Sequence, residues 1–408
     1  MNERNGEKGG ISRLPSGIWI LGFVSMLMDI SSELTLSMLP VFMTTLLGAG
    51  MISVGIVEGF AEATASIMKV FSGIWSDRFS RRKPLAIIGY GLSALTKPLF
   101  PLATTIDMLF LARFSDRIGK GIRGAPRDAL VAELTPPEMR GAAYGLRQAL
   151  DSAGAFIGPL LAVLLMFLFS GDIRRVLWVA TIPALLCVLL LAAGLREPAP
   201  APMRRDVTQR PALLAGVRSM GVPFWLVVLT GATFTMARFS DAFLLLKALG
   251  VGMPPGFVPL VMVVMNLVYS GVSWPAGLLS DRYGSFPQLA AGIGLLVIAN
   301  LVLAASGGLI AVMAGVLLWG MHLGFTQGVL SKLVAASSPP ALLATGFGIF
   351  NLVTGIAALL SSLLAGVLWQ LSSSAWTFRS GALFAVLASA GLVASWRTIA
   401  RRTSMSDH

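Results

Sequence analysis

Apolar runs long enough to cross a bilayer follow one another along the whole chain, and few folds are open to such a sequence. A helix needs about 20 apolar residues to span the hydrocarbon core, and in lipid every backbone polar group must be satisfied within the protein. Twelve windows of this kind can be read, at 17–46, 51–76, 84–103, 106–134, 139–169, 174–195, 222–247, 254–279, 287–306, 309–335, 341–370 and 376–396. The expected fold class is an all-α polytopic membrane protein. Of the 408 residues 55% are hydrophobic and 12% charged, about half the charge of a soluble domain. A soluble enzyme, a disordered chain and a disulfide scaffold are thereby excluded, the last because Cys187 is the one cysteine.

The spans divide six and six. One long polar connection, 196–221, carries Pro198, Pro200, Pro202 and Pro211 among five arginines. It reads as a linker between an N-terminal bundle over 1–195, which includes a charged tail, and a C-terminal bundle over 222–408. Lys and Arg concentrate on one side of the spans: Arg4, Lys8, Arg13, the run Arg78 to Lys83, Arg140, the linker, Arg282, Arg397, Arg401 and Arg402. The other side offers Arg174, Arg175 and Arg379. By the positive-inside rule both termini are cytoplasmic. The net charge of +12 is therefore a topology signal, and no nucleic acid is expected as a partner. No short cleavable signal pattern precedes the first span.

Two loops repeat one pattern. Gly73, Ile74, Trp75, Ser76, Asp77, Arg78 and Phe79 close the second span. Gly277, Leu278, Leu279, Ser280, Asp281, Arg282 and Tyr283 close the eighth, 204 residues later and half of the chain length. A repeat of that length with parallel topology describes two bundles related by an axis along the membrane normal. The sequence here resembles the major facilitator superfamily, over essentially 15–400. The first loop, continuing through Ser80, Arg81, Arg82 and Lys83, is similar to that family's loop motif, with Ser80 where Gly is usual. Arg113 in the fourth span matches its second motif. Gly154, Gly158 and Pro159 in the fifth are similar to the motif associated with antiporters, although Leu161 and Ala162 replace its closing glycines.

The resemblance implies twelve helices in two pseudo-symmetric bundles that alternate access, a proton-coupled antiporter-like prokaryotic subgroup, and a bacterial inner membrane location. It also puts the first, fourth, seventh and tenth spans around a central cavity. In the loop motif, Asp77 can meet the positive N-terminus of another helix, and Arg78 and Arg81 can pair with carboxylates across the seam between the halves. Those contacts would latch the cytoplasmic side, with Asp281 and Arg282 as the second copy. Arg82 and Lys83 serve equally well as simple topology signals.

Ionisable residues inside the spans carry the sharpest information. Each costs at least ~2.5–3.5 kcal/mol in hydrocarbon and so should face the bundle interior or a watery cavity. Helical spacing gathers them into stripes: Asp29 and Glu33 are about 40° apart, and Arg113, Asp116, Arg117, Lys120, Arg123, Arg127 and Asp128 fall within about 140°. The resemblance assigns Asp29, Glu33, Arg113, Asp116, Arg117 and Lys120 to the cavity, with Arg238, Asp241 and His322 opposite. Asp29, Glu33, Asp116, Asp151 and His322 fall near the midplane, where transporter sites sit. Asp29 and Glu33 are the leading proton carriers, because repulsion between like charges one turn apart favours one shared proton; Asp116 and Asp151 are further candidates. Glu58, Glu62 and Lys69 read as structural pairs to neighbouring spans, and Arg123, Arg127, Asp128 and Glu133 as loop anchors. Arg147 with Asp151 reads equally as a lock and as a relay, and His322 equally as packing and as function. Gly154, Gly158 and Pro159 suit close helix approach and a bend.

The functional expectation is a secondary transporter, with protons driving export of a small organic compound by alternating access. The alternative is uptake of an anionic metabolite, which the Arg113, Arg117 and Lys120 stripe could hold. A membrane-embedded enzyme has no nucleotide loop or His-Glu-x-x-His pair to support it, and a scramblase or receptor on the same fold is a weaker reading still. No cofactor or metal is expected, since one midspan histidine and one cysteine make a poor soft-metal site. The working unit is expected to be a monomer in the bilayer.

Overall fold

The computed structural model describes residues 14–78, 82–196, 220–339 and 342–406, and all regular structure among them is helical. Twelve membrane-length segments follow the order α1 Ser16–Thr45, α2 Met51–Arg78, α3a Lys83–Thr96 with α3b Leu99–Leu102, α4 Ile106–Leu134, α5 Arg140–Leu168, and α6a Ile173–Val179 with α6b Thr181–Gly194. The second half continues with α7a Val222–Ala237 and α7b Ala242–Gly250, α8 Leu260–Tyr283, α9 Ser285–Ala305, α10a Leu309–Thr326 and α10b Val329–Ser337, α11 Leu343–Leu371 and α12 Ser374–Ser406. Eleven of the twelve segments are long and apolar enough to cross a membrane. The remaining one, α4, carries a run of buried charges that its neighbours neutralise. Most of the expected linker, 197–219, lies outside the described residues.

The expectation of one continuous seventh span is corrected. The helix stops at Ala237 and resumes at Ala242, because polar groups nearby offer the backbone other partners. Arg238 N tightens the last turn onto Thr235 O at 3.1 Å, Ser240 N donates to Ser362 Oγ at 3.3 Å, and Ala242 N donates to Ser240 Oγ at 3.3 Å. Irregular backbone at membrane depth is tolerated only where protein or a cavity meets it. The third span is interrupted at Lys97 and Pro98, where proline supplies no N–H. The tenth is interrupted at Gln327 and Gly328, whose φ of +76° suits a residue without Cβ. The last helix runs past the expected end at 396 to Ser406.

Within each half the six spans pack on one another; between halves α2 meets α11, α5 meets α8, and α1 meets α7b. The α2–α11 seam is close. A Cβ on Gly59 would lie 2.9 Å from Leu359 O, and Gly55 and Gly366 face the partner helix's backbone in the same way. Both described ends of the chain lie at one end of the bundle, called here the termini end. Among the described residues, the side-chain hydrogen bonds that cross between the halves run from mid-bundle to the far end: Ile52 N to Gln370 Oε1 at 3.0 Å, Ser240 Oγ to Glu58 Oε2 at 3.4 Å, and Asn266 Nδ2 to Ala155 O at 2.9 Å. The halves therefore close on each other at the far end.

Candidate functional site

A cavity of about 480 Å³ sits between the halves at the level of the α7 break. In the first half its charged wall is Glu33 from α1, Glu58 and Glu62 from α2, and Arg117 and Lys120 from α4; in the second it is Arg238 and Asp241 at the two ends of the break. Polar positions Ser66, Asn266, Gln327, Thr354 and Ser362 join them, with Leu36, Phe234, Phe239, Met262, Met265, Tyr269 and Leu323 as the apolar part. The volume and the mixed lining match those of small-molecule sites. Glu62 and Asn266, which the 204-residue offset superposes, face each other across this cavity as polar wall residues.

Each charge is held by the spans around it. Arg113 Nη2 reaches Glu58 Oε2 at 2.8 Å, with side chains 3% and 1% exposed. Arg117 Nη2 lies 3.4 Å from Glu62 Oε1. Lys97 Nζ lies 3.2 Å from Asp116 Oδ1 and donates to Ser32 Oγ at 3.2 Å. Thus α4 is tied to α2 by two ion pairs, to α3 by one, and through Lys97 to α1. Toward the termini end, Arg123 donates to Ser93 Oγ at 2.8 Å and lies over the Tyr90 ring at 4.8 Å. Arg127, Asp128, Arg147 and Asp151 form a cluster whose shortest contact is Arg147 Nη1 to Asp151 Oδ2 at 2.8 Å. Arg82 pairs with Glu133 at 2.7 Å.

In the second half, Asp241 Oδ1 accepts from Trp319 Nε1 at 3.2 Å. Phe239 anchors the break in an aromatic group, its ring 5.6 Å from Phe243, 5.7 Å from Trp319 and 5.4 Å from Phe378. Four of the cavity's charged residues, Glu33, Lys120, Arg238 and Asp241, have no opposite charge within 4.0 Å among the described residues.

The sequence-derived site divides on this geometry. Glu33, Arg117, Lys120, Arg238 and Asp241 line the cavity as expected. Arg113 and Asp116 do not: both are turned into the first half, 2% and 3% exposed, because Glu58 and Lys97 offer them buried partners. His322 does not line it either. It is fully buried between Phe234 and Trp319, and both ring nitrogens lack a hydrogen-bond partner. Asp29 lies outside the lining, against α5, and Asp151 is engaged by Arg147.

Gly154 and Gly158 mark the crossing of α5 with α1. A Cβ on Gly154 would sit 3.0 Å from that of Asp29, and one on Gly158 2.9 Å from that of Glu33; Pro159 is buried inside the same helix. A Cβ on Gly73 would meet nothing within 4 Å among the described residues. Arg81 and the side chains of Asp77, Arg78 and Asp281 lie outside the described residues, while Arg282 lies over the Tyr283 ring at 5.2 Å. Sequence reasoning missed the place of Glu58, read as a structural pair but also part of the cavity wall. It missed Ser240 as well. The dipeptide Ser240-Asp241, two residues that compete for backbone hydrogen bonds, was the available signal. Among the described residues no group of three or more His, Cys, Asp and Glu is placed to hold a metal ion.

Comparison with known proteins agrees with this architecture. The sequence profile of the Major Facilitator Superfamily matches residues 21–362. An uncharacterised MFS-type transporter of Methanocaldococcus jannaschii is 30% identical over 383 residues, 92% of this chain and 93% of that protein. The multidrug resistance protein MdtH of Yersinia enterocolitica is 32% identical over 148 residues, 36% of this chain and 35% of its own. In structure, a bacterial homologue of the human lysosomal transporter Spinster, in an inward-facing and unoccupied conformation, superposes with a TM-score of 0.74. It is 17% identical and covers 97% of this chain and 99% of its own. With a family profile over most of the sequence and a relative aligned over nearly all of it, this multi-pass membrane chain belongs to the Major Facilitator Superfamily, whose members are secondary transporters working by alternating access rather than enzymes.

Proposed function

We propose that this transporter exports a small organic compound in exchange for protons, with its termini on the cytoplasmic side of a bacterial inner membrane. The observation that carries the coupling is Glu33. It is a half-buried carboxylate on the cavity wall with no cation within 4.0 Å among the described residues, on a helix that Gly158 lets α5 approach closely. Such a carboxylate can take up and release a proton without breaking an ion pair. Asp29, one turn along α1, offers a second oxygen pair for the same proton. Orientation follows from Arg82, Lys83, Arg140 and Arg282 at the termini end against Arg174, Arg175 and Arg379 at the far end. With that orientation, closure at the far end makes this the inward-facing state. The partial match to a multidrug resistance protein supports efflux.

The test is flux in proteoliposomes with an imposed pH gradient. Wild-type protein accumulates cargo against its gradient on the acidic side, as protons leave that side in exchange, and Asp29→Asn with Glu33→Gln abolishes uphill movement while leaving downhill exchange. Uphill movement that survives both substitutions overturns the coupling. A second reading, uptake of an anionic metabolite, is favoured by Lys120 and Arg238 standing in the cavity without a carboxylate within 4.0 Å among the described residues. Cargo moving with protons rather than against them decides for it.

A further inference from the structure

Charges of both signs stand on the cavity wall without an ion-pair partner within 4.0 Å among the described residues. We infer that the cargo is a small zwitterion, one ammonium and one carboxylate on a compact apolar body, held with its ammonium in an acidic corner made by Glu58 and Asp241 and its carboxylate between Lys120 and Arg238. This names the cargo class of the site proposed above and rests on its being a transport site.

The acidic corner is built by the break in α7. Ser240 Oγ touches Glu58 Oε2 at 3.4 Å, and the next residue along is Asp241, so carboxylates from the two halves of the protein share one wall. Glu58 is 1% exposed. Its Oε2 is spent on Arg113 at 2.8 Å, while its Oε1 has no hydrogen-bond partner. Asp241 is hydrogen-bonded through one oxygen by the neutral indole of Trp319. Asp241 thus keeps a second carboxylate oxygen outside that bond, and Glu58 Oε1 is an unmet acceptor in a buried place, where it is costly. A primary ammonium, with three donors, can satisfy both.

The opposite sign is provided by Lys120 on α4 and Arg238 at the near end of the break, neither with a carboxylate within 4.0 Å among the described residues. Counting the buried Arg113, the site holds four carboxylates (Glu33, Glu58, Glu62, Asp241) and four cations (Arg113, Arg117, Lys120, Arg238). A neutral cargo would strip water from both corners and compensate neither. A singly charged one would compensate one corner and leave the other dehydrated. A zwitterion compensates both and keeps the balance. Leu36, Phe234, Phe239, Met262, Met265 and Tyr269 receive the body between them.

The test is equilibrium binding to the full-length protein in lipid nanodiscs, which requires no turnover. The probes are alanine, leucine, phenylalanine and diphenylalanine, each compared with its methyl ester, its N-acetyl form and its N-acetyl methyl ester. At least one free zwitterion should bind ten times or more tighter than its own three derivatives. Asp241→Asn should make the N-acetyl form bind as well as the zwitterion, and Lys120→Gln with Arg238→Gln should do the same for the methyl ester. Thermal unfolding of each variant within about 3 °C of wild type, an interval of about 1 kcal/mol, separates lost recognition from lost folding; should Asp241→Asn fail to fold, Asp241→Ser, which also removes the charge, carries that arm. Derivatives that bind as tightly as every zwitterion, or no zwitterion saturating at 10 mM, about 2.7 kcal/mol of binding, overturn the assignment. Zwitterion binding without proton-driven flux leaves the cargo class standing and removes the coupling; proton-driven flux with binding blind to charge does the reverse.

Discussion

Replacing Glu58 by glutamine separates two accounts of the charges in the first half. Glu58 and Arg113 are 1% and 2% exposed and meet at 2.8 Å. If each is held by the other, removing one charge leaves its partner buried and uncompensated, which costs about 3–5 kcal/mol. The amide keeps one hydrogen bond to the guanidinium, which returns about 1 kcal/mol. The expected net loss is therefore roughly 2–4 kcal/mol. For a half of this size a loss of 3 kcal/mol lowers the unfolding midpoint by roughly 6–12 °C. Arg113→Gln should do the same. Together, Glu58→Gln with Arg113→Gln make a neutral hydrogen-bonded pair, and stability should return to within about 1 kcal/mol of wild type, a coupling of about 2 kcal/mol or more. The assay is unfolding followed by tryptophan fluorescence in detergent, completed as a double-mutant cycle. Additive losses, with coupling under about 0.5 kcal/mol, would mean that cavity water rather than the partner solvates each charge, and the account of α4 as a helix neutralised by its neighbours would fail.

Three further outcomes follow from named contacts. Gly158→Leu puts a side chain into the backbone of α1 at Ile30 and Leu34; the overpacking costs about 1–3 kcal/mol, and displacement of Glu33 should abolish pH-gradient-driven flux, whereas Gly158→Ala gives an intermediate loss. Asn266→Ala removes a hydrogen bond between the halves worth about 1 kcal/mol, so the far end should open about fivefold more often; spin labels on Leu168→Cys and Phe257→Cys, both exposed at the far end of the α5–α8 flank, read this as a longer distance, and an unchanged distribution counts against a latch there. Trp319→Phe keeps the ring among Phe239 and His322 but removes the donor to Asp241; the expected loss is about 1.5–3 kcal/mol, seen in thermal unfolding, and no loss would mean that water replaces the indole.

The architecture was open to reading because its causes are periodic. Apolar windows count out twelve spans, and the 204-residue repeat makes Asn266 the counterpart of Glu62. Helical spacing also gathered the α4 charges correctly into a stripe. It could not say which side of that stripe each charge faces. Arg113 and Arg117 are four residues apart, yet one pairs behind the wall and the other stands on it, because Glu58 and Glu62 on a neighbouring helix decide the matter. Partner identity is a tertiary fact. The break in α7 escaped notice for a related reason: 222–247 is apolar enough for a single span, and what interrupts it is Ser362, more than a hundred residues away, accepting from Ser240 N. His322 shows the converse. Its neighbours Trp319 and Phe234 enclose it completely, and nothing in a lone histidine's local spacing announces that.

The two contacts between halves that the internal repeat makes equivalent are not built alike. Along α2 and α11, backbone lies against backbone over three glycines, Gly55, Gly59 and Gly366, with Gln370 bonded across to Ile52 N only at the far end; along α5 and α8 the described side-chain bond is the one from Asn266 to Ala155 near mid-bundle. A glycine-faced contact rolls at little cost, while a discrete bond must be broken and remade. The transport cycle of this chain is then lopsided: one flank acts as the axle and stays engaged in every state, and the opposite flank swings, so the first passage to the far side should open on the α5–α8 flank.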